Sequence, residues 1–431
     1  MGMPFCLWRL NATQLKLKGR KKMGNFSIAL SGLQADTVAL NTIGNNLANL
    51  NTTAYKGQST SFEDLFYQQI GESGSGDAIQ TGAGVKVSGT STDFSAGTLS
   101  PTTDSADMAL AGNGFFVVQQ DGVQSLTRAG NFQLSSSGNL TTVDGEQVMG
   151  YEAVNGVVNQ SAGLKPITIP VGANEAAQAT GNISVTANLN AGATTGTTFS
   201  SPVQIFDSLG SSHQATISYT KTGTNTWSYD VELPAGDATG VPSNNTGTLT
   251  FDTSGNLISP TGSVANITFP GLADGASDIS FNLNLDDSSG NPTITQLASA
   301  SSNNGTLQDG FASGVYQSFT VDTNGVITAQ FSNNRTSTIG QLAVATVANT
   351  AGLTVSGNNN FTTTAASGLA TVGVANTGGR GALDDDELET SNVDISTEFA
   401  NLIVAQRAFE ANSKTVTTFD TVTQDTLGMI R

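Results

Sequence analysis

Histidine and cysteine are nearly missing from this chain of 431 residues, which has one of each, His213 and Cys6. That inventory builds no intrachain disulfide, no zinc site of Cys and His, and no H-E-x-x-H pair. Positive charge is scarce too. Lys and Arg number 16 against 34 Asp and Glu, a formal net charge of −18, and only 12% of the residues are charged. An acidic surface repels phosphate, so nucleic acid is an unsuitable partner and anionic lipid is disfavoured. No run of 18 or more apolar residues occurs, which excludes a membrane-spanning helix and direct insertion by that route. The G-x-x-x-x-G-K-[ST] phosphate loop is missing as well. A hydrolase triad would have to use His213, but this residue lies on an alternating strand beside Ser212 and reads as an exposed strand histidine. The acidic run Asp384, Asp385, Asp386 and Glu387 lacks the alternating ligands and central Gly of a calcium loop, and reads as a solvated linker of like charges. The expectation is therefore no catalysis, no metal and no cofactor.

The basic residues that do occur crowd the start. Arg9, Lys16, Lys18, Arg20, Lys21 and Lys22 fall within the first 22 residues, which hold no acid. A secretory signal has its charges first and a longer apolar run after them, the reverse of this order. The stretch from Lys18 to Lys22 can be encoded by a purine-rich ribosome-binding segment, so translation is expected to start at Met23, with 1–22 a mis-assigned start or a basic extension.

Beyond residue 22 the chain is patterned. Phe26, Leu33, Leu40 and Leu47 recur every seven residues, beside a second row of Ala29, Ile43 and Leu50 that Asp36 interrupts. At the other end Ile395, Leu402, Phe409, Val416 and Ile430 form a similar row, broken by Thr423, with Phe399, Ile403, Ala405 and Phe419 alongside. Both patterns predict amphipathic helices, the second capped by Asp394 or Ser391. Between them the signals are those of strands. Two apolar runs at 115–118 and 123–126 flank Asp121-Gly122, and Ser137-Gly138-Asn139 marks a further turn. His213, Ala215, Ile217 and Tyr219 alternate with polar residues, as do Trp227, Tyr229, Val231 and Leu233. The fold class is α+β, mainly β, with paired terminal helices in a coiled-coil-like inner domain and two or more antiparallel barrel or sandwich domains between them.

Three separated motifs carry a family resemblance. The stretch 41–56, containing Asn45, Asn46, Asn49, Thr53, Tyr55 and Lys56, resembles the N-terminal signature of the bacterial flagellar axial proteins of rod and hook. Asn113, Gly114 and Phe115, with Arg128 and Gly130 after them, are similar to that family's strand block. Ser391, Asn392, Val393 and Asp394, then Glu398, Gln406, Arg407, Phe409 and Asn412, resemble its closing helix. About 150 residues, from Tyr151 to Ser302, are inserted after the strand block, and this insertion, with 203–210 before the Trp227 hairpin, resembles the outer domain of hook subunits.

The resemblance implies a structural subunit of the hook, a curved flexible tube that joins the basal-body rod to the filament and transmits torque for swimming. It also implies export through the flagellar type III apparatus, a location outside the cell, and as partners further copies of the chain, the rod, the hook cap and the hook–filament junction proteins. The implied organisation is a terminal helical domain of 23–52 with 393–431, a connecting segment of 53–93 with 370–392, an inner β-domain of 94–151 with 303–369, and an outer inserted domain of 152–302. The alternatives are a distal rod-type subunit and a secreted adhesin-like β-protein. The adhesin accounts for the middle of the chain and not for its two terminal stripes.

Overall fold

The computed structural model describes residues 24–429. The expected start at Met23 and the row position Ile430 lie outside the described residues. The chain divides into two compact units: the first comprises the described part of Met1–Ile169 with Thr320–Ile327 and Thr338–Arg431, the second Pro170–Phe319 with Thr328–Ser337.

Two helices bracket the first unit, α1 over Gly24–Ala48 and α2 over Ile395–Gly428. Asp394 caps α2, its carboxylate accepting from the Thr397 N–H at 2.7 Å. The helices pack against each other and run antiparallel: the side-chain amide of Asn412 reaches Asp36 at 2.8 Å, and that of Asn46 reaches Glu398 at 3.1 Å. Small residues let them approach. Ala29 and Ala35 are buried, and a Cβ on Gly32 would lie 2.7 Å from the Asn412 amide nitrogen. Of the predicted rows, Leu33, Leu40, Leu47, Leu402 and Val416 are half-buried, while Phe409 remains 37% exposed. Phe26 lies on α1, and its side chain is outside the described set. Ala405 is the one fully buried position of α2 among the described residues; Ile395, Phe399, Ile403 and Val404 are open to solvent.

After α1, strand Gln58–Asp64 pairs antiparallel with Val85–Thr92, and Gln68–Glu72 with Ala78–Thr81. The Asp121-Gly122 hairpin forms with both turn residues at positive φ (50° and 83°), joining Phe115–Gln120 to Val123–Thr127. These strands, with Gln147–Val154 and the Leu342 end of Thr336–Thr346, enclose a core of Phe115, Val117, Leu126, Met149 and Phe361. The acidic run departs from the linker expectation. Ala382–Asp385 pairs with Met108–Ala111, and Glu387–Glu389 with Leu99–Pro101; Asp386 turns the chain between them at φ 54°. Leu383 and Glu389 are each 1% exposed, Asp384, Asp385 and Glu387 are half-buried and only Asp386 is open, so the run is part of two short paired strands and not a free linker.

In the second unit, Thr198–Phe206, Ser212–Gly223, Thr226–Glu232, Thr246–Phe251 and Leu257–Ser259 form one five-stranded antiparallel sheet. The other five-stranded sheet is mixed. Its strand Asn182–Asn190 runs parallel to Ile279–Asn284 and Ile294–Leu297 and antiparallel to Ser302–Gln308, with Ser263–Phe269 at the edge. Both sheets share one core containing Tyr219, Trp227 and Phe281, and the Trp227 indole donates to the Gln296 side chain at 2.8 Å. The hairpin expected around Thr222–Asn225 is present, with Tyr219 opposite Tyr229. His213 is not exposed: it stands in phase with Ala215, Ile217 and Tyr219, and its side chain is 10% exposed. The period of two that places its neighbours inward applies to it as well.

Candidate functional site

The three sequence motifs meet within the first unit, where the chain leaves α1 and re-enters α2. A network of side-chain hydrogen bonds holds the junction. Asn46 is 1% exposed; its carboxamide oxygen accepts from the Gln58 N–H at 2.9 Å and the Tyr55 hydroxyl at 3.3 Å, and its nitrogen donates to the Gln58 carbonyl at 2.8 Å and to Glu398. Asn392 acts similarly from the other side, accepting from the Gly57 N–H at 2.8 Å and donating to the carbonyls of Asp93 and Ser95. An amide carries donor and acceptor on one rigid plane, so each of these residues ties two chain segments at once. Asn45 donates to the Tyr55 hydroxyl at 2.9 Å, and Asn49 returns to Asn45 while accepting from Thr52. Thr53 offers its carbonyl to the Asn359 amide, and Val393 lies against Gly57 just after Ser391, whose hydroxyl accepts from the Val393 N–H.

Beneath them lies an ion triad. Lys56 Nζ meets Glu389 Oε1 at 2.6 Å, and Arg128 Nε meets Glu389 Oε2 at 3.0 Å, all three side chains being 5% exposed or less. Further bonds support the triad: Lys56 reaches the Ser95 carbonyl at 2.7 Å, Arg128 the carbonyls of Gly112 and Gly114 at 2.8 Å each, and the Gly97 N–H points at Glu389. Burial alone would raise the Glu389 carboxyl; Arg128, Lys56 and the Gly97 N–H outweigh it and hold it below the usual carboxylate range. Burial lowers the Lys56 ammonium, against the opposing pull of Glu389. Gly114 sits at φ 134°, where a Cβ would come within 2.6 Å of Val344, and Phe115 stacks edge-on with Phe94 and Phe361. Asn113 accepts from the Gly381 N–H at 2.7 Å.

The predicted residues thus separate into two groups. Asn45, Asn46, Asn49, Thr53, Tyr55, Lys56, Asn113, Gly114, Phe115, Ser391, Asn392 and Val393 converge around the junction. The others belong to α2: Asp394 caps it, Asn412 packs on α1 through Asp36, and Gln406, Arg407 and Phe409 stand exposed along it, away from the junction. Sequence reasoning misses Glu389, the centre of the triad. Its signal is the alternation Glu387, Leu388, Glu389, concealed by the acidic run before it. Because Asn46 satisfies four backbone or side-chain groups out of water, Asn46→Ala is expected to cost about 1 to 3 kcal/mol. Denaturant titration of the purified chain, read with hydrogen exchange at Gln58, measures it.

Family models cover most of the described chain: Flagella basal body rod protein over 26–56, Flagellar hook protein FlgE/F/G D1 domain over 109–188, Flagellar basal body protein FlaE D2 domain over 179–311, and Flagellar basal body rod FlgEFG protein C-terminal over 386–429. The flagellar hook protein FlgE of Escherichia coli is 35% identical over 92% of this chain and 98% of its own length. That of Treponema pallidum is 32% identical over 93% of this chain and 98% of its own. The crystal structure of Helicobacter pylori flagellar hook protein FlgE2 shares the fold at a TM-score of 0.52, with 16% identity, over 68% of this chain and all of that one. With matches of this identity and length joined to four family segments in order, the chain belongs to the flagellar hook protein family.

Proposed function

We propose that this chain is a structural, non-catalytic subunit of the flagellar hook, which polymerises with copies of itself into the tube joining rod to filament. The observation that carries the reading is the face of α2 that α1 leaves open. Ile395, Phe399 and Ile403, spaced by four residues, fall on one side of the helix and are 46 to 52% exposed. An apolar stripe on a long, well-formed helix needs cover, and neighbouring copies of the same helix pair provide it in a contact that does not close into a ring. The pair then acts as a coiled-coil-like inner wall, with Gln406, Arg407 and Phe409 reaching adjacent copies. In the second unit, two five-stranded sheets over one core serve as a sandwich-type outer domain. The Ser, Thr and Asn hydroxyls and amides that dominate its surface suit contacts that rearrange as a tube bends. Partners of the assembled subunit are the rod, the hook cap and the junction proteins, reached after export by the type III apparatus to the cell exterior.

The test is negative-stain electron microscopy of the purified chain across a range of concentration and salt, beside expression in a hook-deficient flagellated host. Tubes of constant diameter and restored swimming are expected. Persistent monomers together with failure to restore any hook would reject the reading.

A further inference from the structure

His213 is the only histidine in the chain, and its ring is held by carboxylates on both sides. Asp237 Oδ2 lies 3.0 Å from Nδ1; Asp207 Oδ2 lies 3.1 Å and Asp274 Oδ2 3.9 Å from Nε2. What distinguishes this group from a chance gathering of acids is how each carboxylate is divided. Asp207, fully buried, spends Oδ1 on the N–H groups of Leu209 and Ser211, leaving Oδ2 for the cluster. Asp274 spends Oδ1 on the Ala276 N–H, again leaving Oδ2. Two further bonds fix the loops that carry these residues: Ser277 N–H to the Ser208 hydroxyl, and Ala273 N–H to the Asp237 carbonyl. One nitrogen and two oxygens therefore converge within 4.8 Å of one another, each on a side chain anchored by its other atoms.

We propose that Asp207, His213 and Asp274 form a binding site for a divalent transition metal of the zinc class, with Asp237 as the residue that orients the imidazole. Donors at roughly 2.0 to 2.2 Å from a tetrahedral ion stand roughly 3.3 to 3.5 Å apart, between the two separations observed, so small shifts of Asp274 complete the geometry. In the metal-free chain both ring nitrogens lie against carboxylates, which accept, so the ring donates from both; the ion displaces the Nε2 proton to solvent, and the Nδ1–H kept on Asp237 orients Nε2 as a ligand, as carboxylates behind the ligating histidine do at many metal sites. Asp237 and Asp274 are each about one-third exposed, which opens an entry path and a fourth position for water. The mixed nitrogen and oxygen set selects zinc and its neighbours over magnesium, which keeps an all-oxygen shell.

The experiment uses the full chain carrying Cys6→Ser, which removes the one thiol, treated with chelator and then titrated with zinc chloride. Calorimetry is expected to show one zinc per chain, with magnesium chloride giving no comparable heat. With a single histidine, nitrogen-15 histidine labelling reports the site without any variant: zinc should shift Nε2 and leave Nδ1 protonated. His213→Gln should abolish the binding, Asp274→Asn should weaken it at least tenfold, and Asp237→Asn should weaken it by about 10- to 100-fold. Near-ultraviolet circular dichroism of the core around Tyr219, Trp227 and Phe281 verifies that each variant stays folded. No saturable one-to-one binding, an unchanged Nε2 signal, or equal zinc affinity in folded His213→Gln would overturn the proposal.

Discussion

Ile403→Asp is expected to abolish tube formation while leaving the thermal midpoint of the monomer unchanged. In the monomer Ile403 is 52% exposed, on the same open face of α2 as Phe399 and Ile395. A carboxylate there can remain hydrated, so little is lost until a neighbouring helix covers the face. Once covered, an unpaired charge costs several kcal/mol even after relaxation, and every subunit carries the cost. A polymer built from repeated contacts cannot absorb that penalty at each one, so the critical concentration should rise beyond reach and cells should lack functional hooks. Phe409→Asp provides the contrast. Its side chain is 37% exposed, and the row positions one step either side of it, Leu402 and Val416, are both half-buried. That variant should lower the monomer midpoint as well as block assembly. Calorimetry of monomers and electron microscopy of the same samples separate the two. Normal tubes from Ile403→Asp would remove α2's open face from the interface; a lowered monomer midpoint would place Ile403 in an intramolecular core.

The contrast between these two positions also marks how far the sequence is legible. A seven-residue period specifies that a helix has an apolar row, and both terminal helices are legible on that basis. It does not say whether the row meets a partner in the same chain or another, since one helix pair and a ring of pairs impose the same spacing. The hairpins at Asp121-Gly122 and around Asn225 are equally legible, because positive-φ turn residues between alternating strands leave few other conformations. Misreadings arise where charge is judged without phase. Asp384, Asp385, Asp386 and Glu387 resemble a solvated linker, yet the strands they belong to are anchored at either end by buried Leu383 and Glu389. The polarity of His213 suggests exposure, although its phase matches Ile217 and Tyr219. Its aspartate partners come from turns at 207, 237 and 274, and no local pattern announces a contact that only the tertiary fold creates. Lys56 is legible as part of a motif; that its charge is buried against Glu389, more than 300 residues away, is not.

Glu389→Ala should destabilise the first unit by about 3 to 5 kcal/mol, the usual range for removing one partner of a buried ion pair. The cost comes mainly from what remains: Lys56 and Arg128 keep their charges at 5% exposure or less with no counter-ion. Hydrogen exchange should therefore rise first where the triad ties segments together, at 53–57, 95–101 and 126–130, while the α1–α2 contact through Asn412 and Asp36 is less affected. Acid titration gives a second, independent check with a definite sign. The folded carboxyl of Glu389 lies below its ordinary value, so ionisation contributes stability that is fully present above the unfolded carboxylate range and is lost as the pH falls through the folded value. The difference in unfolding free energy between the natural chain and Glu389→Ala should accordingly be largest near neutral pH and shrink on acidification below about pH 4.5. A gap that stays constant into acid would mean that Glu389 acts through packing and not through charge. A gap near zero at neutral pH would mean that Lys56 and Arg128 find other partners or water when the carboxylate is gone.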